Sequence, residues 1–313
     1  MQAFDRVKAS AEFIQELLAK SPMPRNQVAV ISGLSNTYIR DLEQGIIANV
    51  AREKLIALAV ALNLDLNETD QMLNIFDRAP LSRQDIPIFL QTAEKGTITS
   101  AMLPVRDRYS LDLMMLAAER LPGVHVVVSS EPTVCLRAQG HRLYSERRLS
   151  KMHPIYGELV EAIGDERRQV MDKNLAHHAV EQYICKKCLE DYLLLCEDPV
   201  EKQWRLKHLQ NVLTSLDQYE NWHFFLTNSC PTFSFVLKTP SPETRESEKL
   251  LITRLAPHRF QGMRTGKLTG FTTDNQVVIQ NFKDELEGIR SAVHEQYLDR
   301  ESLQDYLRSL MAD

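Results

Sequence analysis

The sequence predicts two domains of different class. An all-α N-terminal domain of five short helices covers residues 1–78, and an α/β (or α+β) C-terminal domain covers 109–313, with a linker and one helix over 79–108 between them. Three observations carry this reading. Apolar residues in the first 78 positions recur at helical spacing and are punctuated by Pro and Gly. From 109 onward, helical periods are interrupted by short β-branched or aromatic runs such as His125-Val126-Val127-Val128. The chain length, 313 residues, corresponds to about two domains at roughly 150 residues each.

Taken in order, Phe13, Ile14, Leu17 and Leu18 mark a first helix over 8–20, stopped by Ser21-Pro22-Met23-Pro24. Val28, Ala29 and Ile31 mark a second over 25–32, which Gly33 breaks. Ser35 is a suitable N-cap for a third, and Gly45 ends it. Leu55, Ile56, Leu58, Ala59 and Leu62 are spaced for a fourth over 51–62. A fifth follows Asn67, where Glu68, Thr69 and Asp70 suit the positive end of the helix dipole. The linker region holds Pro80-Leu81-Ser82-Arg83, a helical stretch from Ile86 to Glu94 and a polar Lys95-Gly96-Thr97 break. Beyond it the pattern predicts a helix from Leu111 to Arg120, a strand around Val126, and helices at about 155–171, 174–196 and 200–217. Strands follow at Trp222–Leu226, Thr232–Leu237, Leu250–Arg254 and Leu268–Thr272, with a loop from Pro240 to Glu248 and closing helices at 275–293 and 300–311.

Composition narrows the function classes. Hydrophobic residues make up 43% and charged residues 25%, enough to build a core. The longest apolar run, Leu55 to Leu62, stops at eight residues, well short of the roughly 18–20 of a membrane helix. Met1 to Lys8 carries Asp5 and no apolar stretch, so a secretory signal is not expected. Five cysteines, an odd number in a long chain, argue against a disulfide framework and for a reducing cytoplasm. A net charge of −5 provides no nucleic-acid signal of its own.

The informative stretch runs from Arg25 to Gly45. Val28 and Ala29 suit a buried face, Ala29 being small where two helices cross. Gly33 permits the positive φ of a tight turn, Leu34 plugs that turn, and Ser35 caps the next helix. Ile39 and Leu42, three apart, hold that helix to the core, so Asn36, Thr37 and Arg40 are left facing outward, where a recognition helix meets base edges. The pattern Val-Ala-x-x-Ser-Gly-Leu-Ser-x-x-Tyr-Ile-x-x-Leu-Glu-x-Gly, continued by Leu55 to Leu64, resembles the XRE (lambda-repressor-like) helix-turn-helix regulators over about residues 8–76. That resemblance implies a double-stranded DNA operator as partner. It places Asn36, Thr37 and Asp41 near base edges, with Asn suited to adenine and Asp to cytosine N4. It places Arg25, Tyr38, Arg40 and Asn49 at phosphates, while Ser35 is the cap that presents them. Residues 1–78 hold eight basic and ten acidic side chains, net −2, which implies weak non-specific binding and reliance on a homodimer reading two half-sites.

The C-terminal part carries weaker motifs. Cys185-Lys186-Lys187-Cys188 falls in a helical pattern, with Cys196 beyond and His177-His178 before it. On one helix face the two thiols are read as filling space beside Tyr183, Leu189 and Leu193. The alternative is zinc ligation or redox pairing, with the lysines lowering a thiol pKa and the pair acting as a redox or metal sensor. Gly262 to Thr269 fails as a phosphate-binding P-loop, because only three residues separate its glycines and Leu follows the Lys. Ala-Gly and Cys-Gly dipeptides, Gly-x-Ser-x-Gly and His-Glu-x-x-His are absent. The order of elements from Arg205 to Phe282 is similar to phospholipase D-like sensor domains, whose catalytic His-x-Lys this chain lacks; the likeness therefore implies a sensor or dimeriser. Basic clusters at Arg137, His141, Arg142, Arg147 and Arg148, and at Arg254, His258, Arg259 and Arg264, read as solvated faces paired with acids. The combined expectation is a cytoplasmic repressor-type transcription regulator. It is a homodimer with a small-molecule effector, no cofactor, no membrane contact and no catalysis, a nucleotide- or phospholipid-processing enzyme being the remote alternative.

Overall fold

The computed structural model describes residues 2–21, 23–47, 49–96, 103–105, 108–138, 140–141, 153–241, 247–254 and 270–312. The chain divides into two units, residues 1–103 with 151–163, and residues 104–150 with 164–313. The layout is α followed by α/β.

The first unit is helical. Its elements are α1 (Gln2–Lys20), α2 (Arg25–Ser32), α3 (Asn36–Glu43), α4 (Arg52–Ala61), α5 (Leu66–Ile75) and α6 (Ile86–Gly96). The local chemistry explains the boundaries. Gly33 takes φ 70°, a left-handed conformation that closes α2 by donating its N–H to Ala29 and Val30. Asp65 and Glu68 form a reciprocal capping box at the start of α5. Ile14, Val28, Ile39, Leu55, Ile56, Leu58, Met72 and Leu73 are buried in the core. The helix expected from Ile86 to Glu94 forms as α6, runs on through the expected break to Gly96, and packs on α2 and α4 with Phe89 fully buried. Arg52 anchors the approach to it: its guanidinium forks onto Asp85 and donates to the carbonyl of Pro80 at 2.6 Å. Burial alone would raise the Asp85 carboxyl, but the Arg52 and Ser82 hydrogen bonds outweigh it and hold the pKa below its ordinary value.

Among the described residues the second unit is built on a seven-stranded mixed sheet in the order β1-β7-β6-β5-β2-β3-β4. The strands are β1 (Leu103–Val105), β2 (Val124–Ser129), β3 (Val180–Cys185), β4 (Trp222–Thr227), β5 (Phe233–Thr239), β6 (Lys249–Arg254) and β7 (Gly270–Thr273). β2, β3 and β4 are parallel, while β5, β6 and β7 run antiparallel to their neighbours. Helices cover both faces. Val126, Val128, Tyr183, Phe235, Leu237 and Ile252 pack on Ile279, Leu286 and Ile289 of α11 (Gln276–Ser291). On the other face, Ile184, Trp222, Phe224 and Leu226 meet α9 (Lys186–Leu194), α10 (Pro199–Gln218) and α12 (Arg300–Ala312). Val127, Val236 and Leu251 meet α7 (Arg108–Glu119).

Three expectations need correction. The helix expected over 174–196 is strand β3 followed by α9, while α8 (Tyr156–His177) extends past its expected end at 171. The reason is burial: in β3 every residue but Glu181 is buried, so the in–out alternation that marks a strand is missing. Leu103–Val105, read as linker, is an edge strand. Most of the Pro240–Glu248 loop, the Gly262–Thr269 turn, Leu268-Thr269 and the basic residues from Arg142 to Arg148 and from His258 to Arg264 lie outside the described residues. Among the described residues no helix is long and apolar enough to cross a membrane.

Candidate nucleic-acid interface and thiol cluster

In the first unit the predicted site residues gather on and around α3. Ser35 adopts an extended backbone, and its Oγ accepts from the Tyr38 N–H at 3.0 Å, capping the helix. Ile39 and Leu42 are buried, which turns Asn36, Thr37 and Arg40 to solvent. The amides of the first turn have no carbonyl partner within the helix and add its positive dipole end to that face. Tyr38 is half-buried with the Lys54 ammonium 4.3 Å above its ring, which places a cation beside it. Asp41 is half-buried; Arg40 Nε lies 3.7 Å from its carboxylate, and its carbonyl accepts from the Ile46 N–H at 2.9 Å. Arg25 reaches from the start of α2 to Glu43 at the end of α3, 2.5 Å away, so it ties the two helices together while remaining 46% exposed. Asn49 lies in the connection before α4, and its Oδ1 accepts from Arg78. Arg78 also donates to the Val50 carbonyl at 2.9 Å, fixing that connection.

In the second unit the Cys185-x-x-Cys188 pair has a geometry its sequence context concealed. Cys185 is the last residue of β3 and the N-cap of α9, and Cys188 lies in the first turn of that helix. They do not share the face of one continuous helix. A third thiol joins them: Cys230, in the turn after β4, with Cys188 Sγ 3.3 Å from Cys230 Sγ. All three sulfurs lie within 4.8 Å of one another. Cys185 and Cys188 are buried, Cys230 is exposed, and none of the five cysteines is in a disulfide. The Cys188 thiol first, and then the amides of Cys188 and Lys187 at the helix start, hold the Cys185 pKa below the ordinary thiol range; burial opposes them. Cys188 is pushed up, chiefly by its bond to that thiolate and by burial. The lysines are tied to carboxylates, Lys186 donating to Glu190 at 2.6 Å and Lys187 pairing with Asp191 at 2.7 Å, with Lys187 also in charge contact with Cys185. Cys196 lies apart, its Sγ 3.5 Å from the Asp198 carbonyl.

Sequence reasoning missed Cys230 because it is 42 positions from Cys188 in the chain. The available signal was Asn228-Ser229-Cys230-Pro231 directly after a predicted strand. That signal has meaning only once β3 is known to be the parallel neighbour of β4.

The expected basic clusters are partly built into the core. Arg137 pairs with Glu131 at 2.7 Å, and His141 is fully buried with Nε2 3.2 Å from Glu201 Oε1. Beside it His208 lies between the Tyr192 hydroxyl and the Thr133 carbonyl, each 2.9 Å away. Burial lowers both histidine pKa values, that of His208 to about 3, so both are neutral at pH 7. With both ring nitrogens engaged, His208 is a structural bridge between α9, α10 and the residues after β2. Comparison with protein-family models, with curated proteins and with solved structures finds no match to this chain.

Proposed function

We propose that this chain is a sequence-specific DNA-binding transcription regulator whose first unit is an XRE-type helix-turn-helix. The observation that supports it best is the α2–Gly33–α3 pair. A left-handed glycine joins two eight-residue helices, the second is capped by Ser35 and buried along Ile39 and Leu42, and Asn36, Thr37 and Arg40 are exposed together at its start. In this reading α3 enters the major groove, where Asn36 and Thr37 meet base edges and Asp41 accepts from a cytosine amine. Arg25, Tyr38, Arg40 and Asn49 line the phosphates on either side.

The charge sets how such a protein must work. With eight basic against ten acidic residues in 1–78, few phosphates are neutralised, so binding to arbitrary DNA is weak and its salt dependence shallow per monomer. Specific affinity then comes from a homodimer on paired half-sites. The second unit dimerises and receives a small-molecule signal, and the signal shifts the population between two arrangements that differ in half-site fit.

Selection of bound fragments from genomic DNA by the purified full-length protein tests this. A recurring sequence with two half-sites is expected. On that operator Asn36→Ala and Thr37→Ala should each cost about 1–3 kcal/mol and relax the base preference at one position. Equal loss on random DNA, or no enriched sequence at all, would count against the reading.

A further inference from the structure

The three sulfurs of Cys185, Cys188 and Cys230 form a constellation that DNA binding does not use. They come from three places in the fold: the end of β3, the first turn of α9 and the turn after β4. This is the carboxyl edge of parallel strands, the side of an α/β sheet on which ligands are usually held. The turn bearing Cys230 is braced. The Asn228 N–H donates to the Ala292 carbonyl at 2.8 Å, and the Thr227 hydroxyl donates to the Ser229 carbonyl at 2.9 Å.

Distances and donor type agree on one class of occupant. A zinc ion bound tetrahedrally by sulfur at about 2.3 Å keeps its sulfurs roughly 3.8 Å apart. The Cys188–Cys230 spacing of 3.3 Å falls about half an ångström short of that value and no pair of the three exceeds 4.8 Å, so loading needs shifts of at most about 1 Å. Three thiols and no carboxylate make a soft donor set, which selects zinc-class and cuprous ions over magnesium or calcium. The start of α9 supplies amides that favour a sulfur anion at Cys185, and the exposed Cys230 provides the way in. A dithiol redox pair would use two of these sulfurs and give no reason for the third.

We propose that Cys185, Cys188 and Cys230 form a three-thiolate site for a zinc-class thiophilic cation, with the fourth coordination position open to solvent or a small ligand. On loading, each sulfur that still carries a proton exchanges its S–H bond for a metal–sulfur bond and the proton passes to the buffer, while a sulfur already ionised binds directly, with no change of oxidation state. Affinity therefore falls with acid. The site rests on the second unit alone and holds whether or not the first binds DNA.

The test is a metal titration of the full chain, reduced and stripped with chelator, without DNA. Cobalt(II) should bind one per chain with thiolate-to-cobalt charge-transfer absorption, and zinc should displace it. Cys230→Ser should weaken zinc binding at least tenfold with an unchanged far-UV circular dichroism spectrum, and Cys196→Ser should leave it unchanged. In the unmodified protein zinc should slow alkylation of Cys230, a readout that needs no variant. Absence of the charge-transfer band, equal binding by Cys230→Ser, or alkylation indifferent to zinc overturns the proposal. A Cys188–Cys230 disulfide in protein that takes up no cobalt overturns it in favour of a redox pair.

Discussion

The two units handle charge in opposite ways. In the helical unit most ion pairs lie at the surface, as Arg25 with Glu43, whose side chains remain 46% and 15% exposed; Arg52 with the buried Asp85 is an exception. In the sheet unit Arg167 of α8 is buried with its partners. It forks onto Glu119 at 2.9 and 2.7 Å and donates to Asp112 at 2.8 Å, and none of the three side chains is more than 8% exposed. Burial alone would lower the Arg167 pKa, yet Glu119 and Asp112 raise it above the ordinary arginine value. Asn174 completes the knot by donating to the Glu119 carbonyl at 2.7 Å. Nearby, Lys238 is fully buried and donates to the Gly123 carbonyl at 3.0 Å. The difference teaches where each unit draws its specificity. The helical unit is specified by local caps and turns and leaves its polar groups available to a partner. The sheet unit also places Arg167, Glu119, Asp112 and Lys238 in its interior, where each requires its counterpart from a distant segment.

The largest expected effect follows from that knot. Arg167→Met leaves Glu119 and Asp112 buried without their counter-charge and should destabilise the second unit by about 3–5 kcal/mol. Both tryptophans, Trp204 and Trp222, lie in this unit, so the denaturant midpoint followed by tryptophan fluorescence reads it directly. A loss below about 1 kcal/mol would remove the contrast between the units.

Next in size is the pH response of Lys238. Burial, against a weaker opposing pull from Glu119, holds its ammonium down to about 8 from an ordinary 10.5. Between those values the unfolded chain keeps a proton that the folded chain has shed, so stability from this group rises with pH. The unfolding free energy of the natural protein minus that of Lys238→Met should grow by up to ~3 kcal/mol across this window. A difference that stays flat means Lys238 is solvated.

Smaller effects are expected in the first unit. Ser35→Ala removes the bond to the Tyr38 amide and should cost about 1 kcal/mol; thermal unfolding by circular dichroism would measure it. Smallest is Arg25→Ala, expected to cost under ~1 kcal/mol because the pair with Glu43 is partly solvated. Its larger effect should be on operator affinity, and a stability loss equal to that of Arg167→Met would erase the comparison.

The first unit was largely readable one residue at a time. Gly33, Ser35, Gly45 and the acidic start at Glu68 mark ends that the backbone follows within a residue or two, because a cap is a bond between near neighbours; the Asp65 cap itself went unread. The second unit was readable where strands alternate or begin at an aromatic run, as at Trp222–Thr227 and Phe233–Thr239. It was not readable at β3. With Glu181 and Gln182 between Val180 and Tyr183-Ile184-Cys185, this central strand shows neither in–out alternation nor an unbroken apolar run, and the helical periods on either side absorbed it. That single misassignment separated Cys185 and Cys188 from Cys230.

By itself the sequence determined the capped helix ends around Gly33, Ser35 and Gly45, the strands that begin at aromatic residues and the row of polar residues at the start of α3, whereas α1 starts six residues before its expected position 8. Each is set by interactions between residues a few positions apart. Only the tertiary structure decided that Arg167 meets Glu119 and Asp112, that the helix bearing Phe89 closes the helical core, and that three thiols converge. These depend on strand order and on which side of the sheet a crossover returns, and the chain settles both by burying apolar area that no local pattern records.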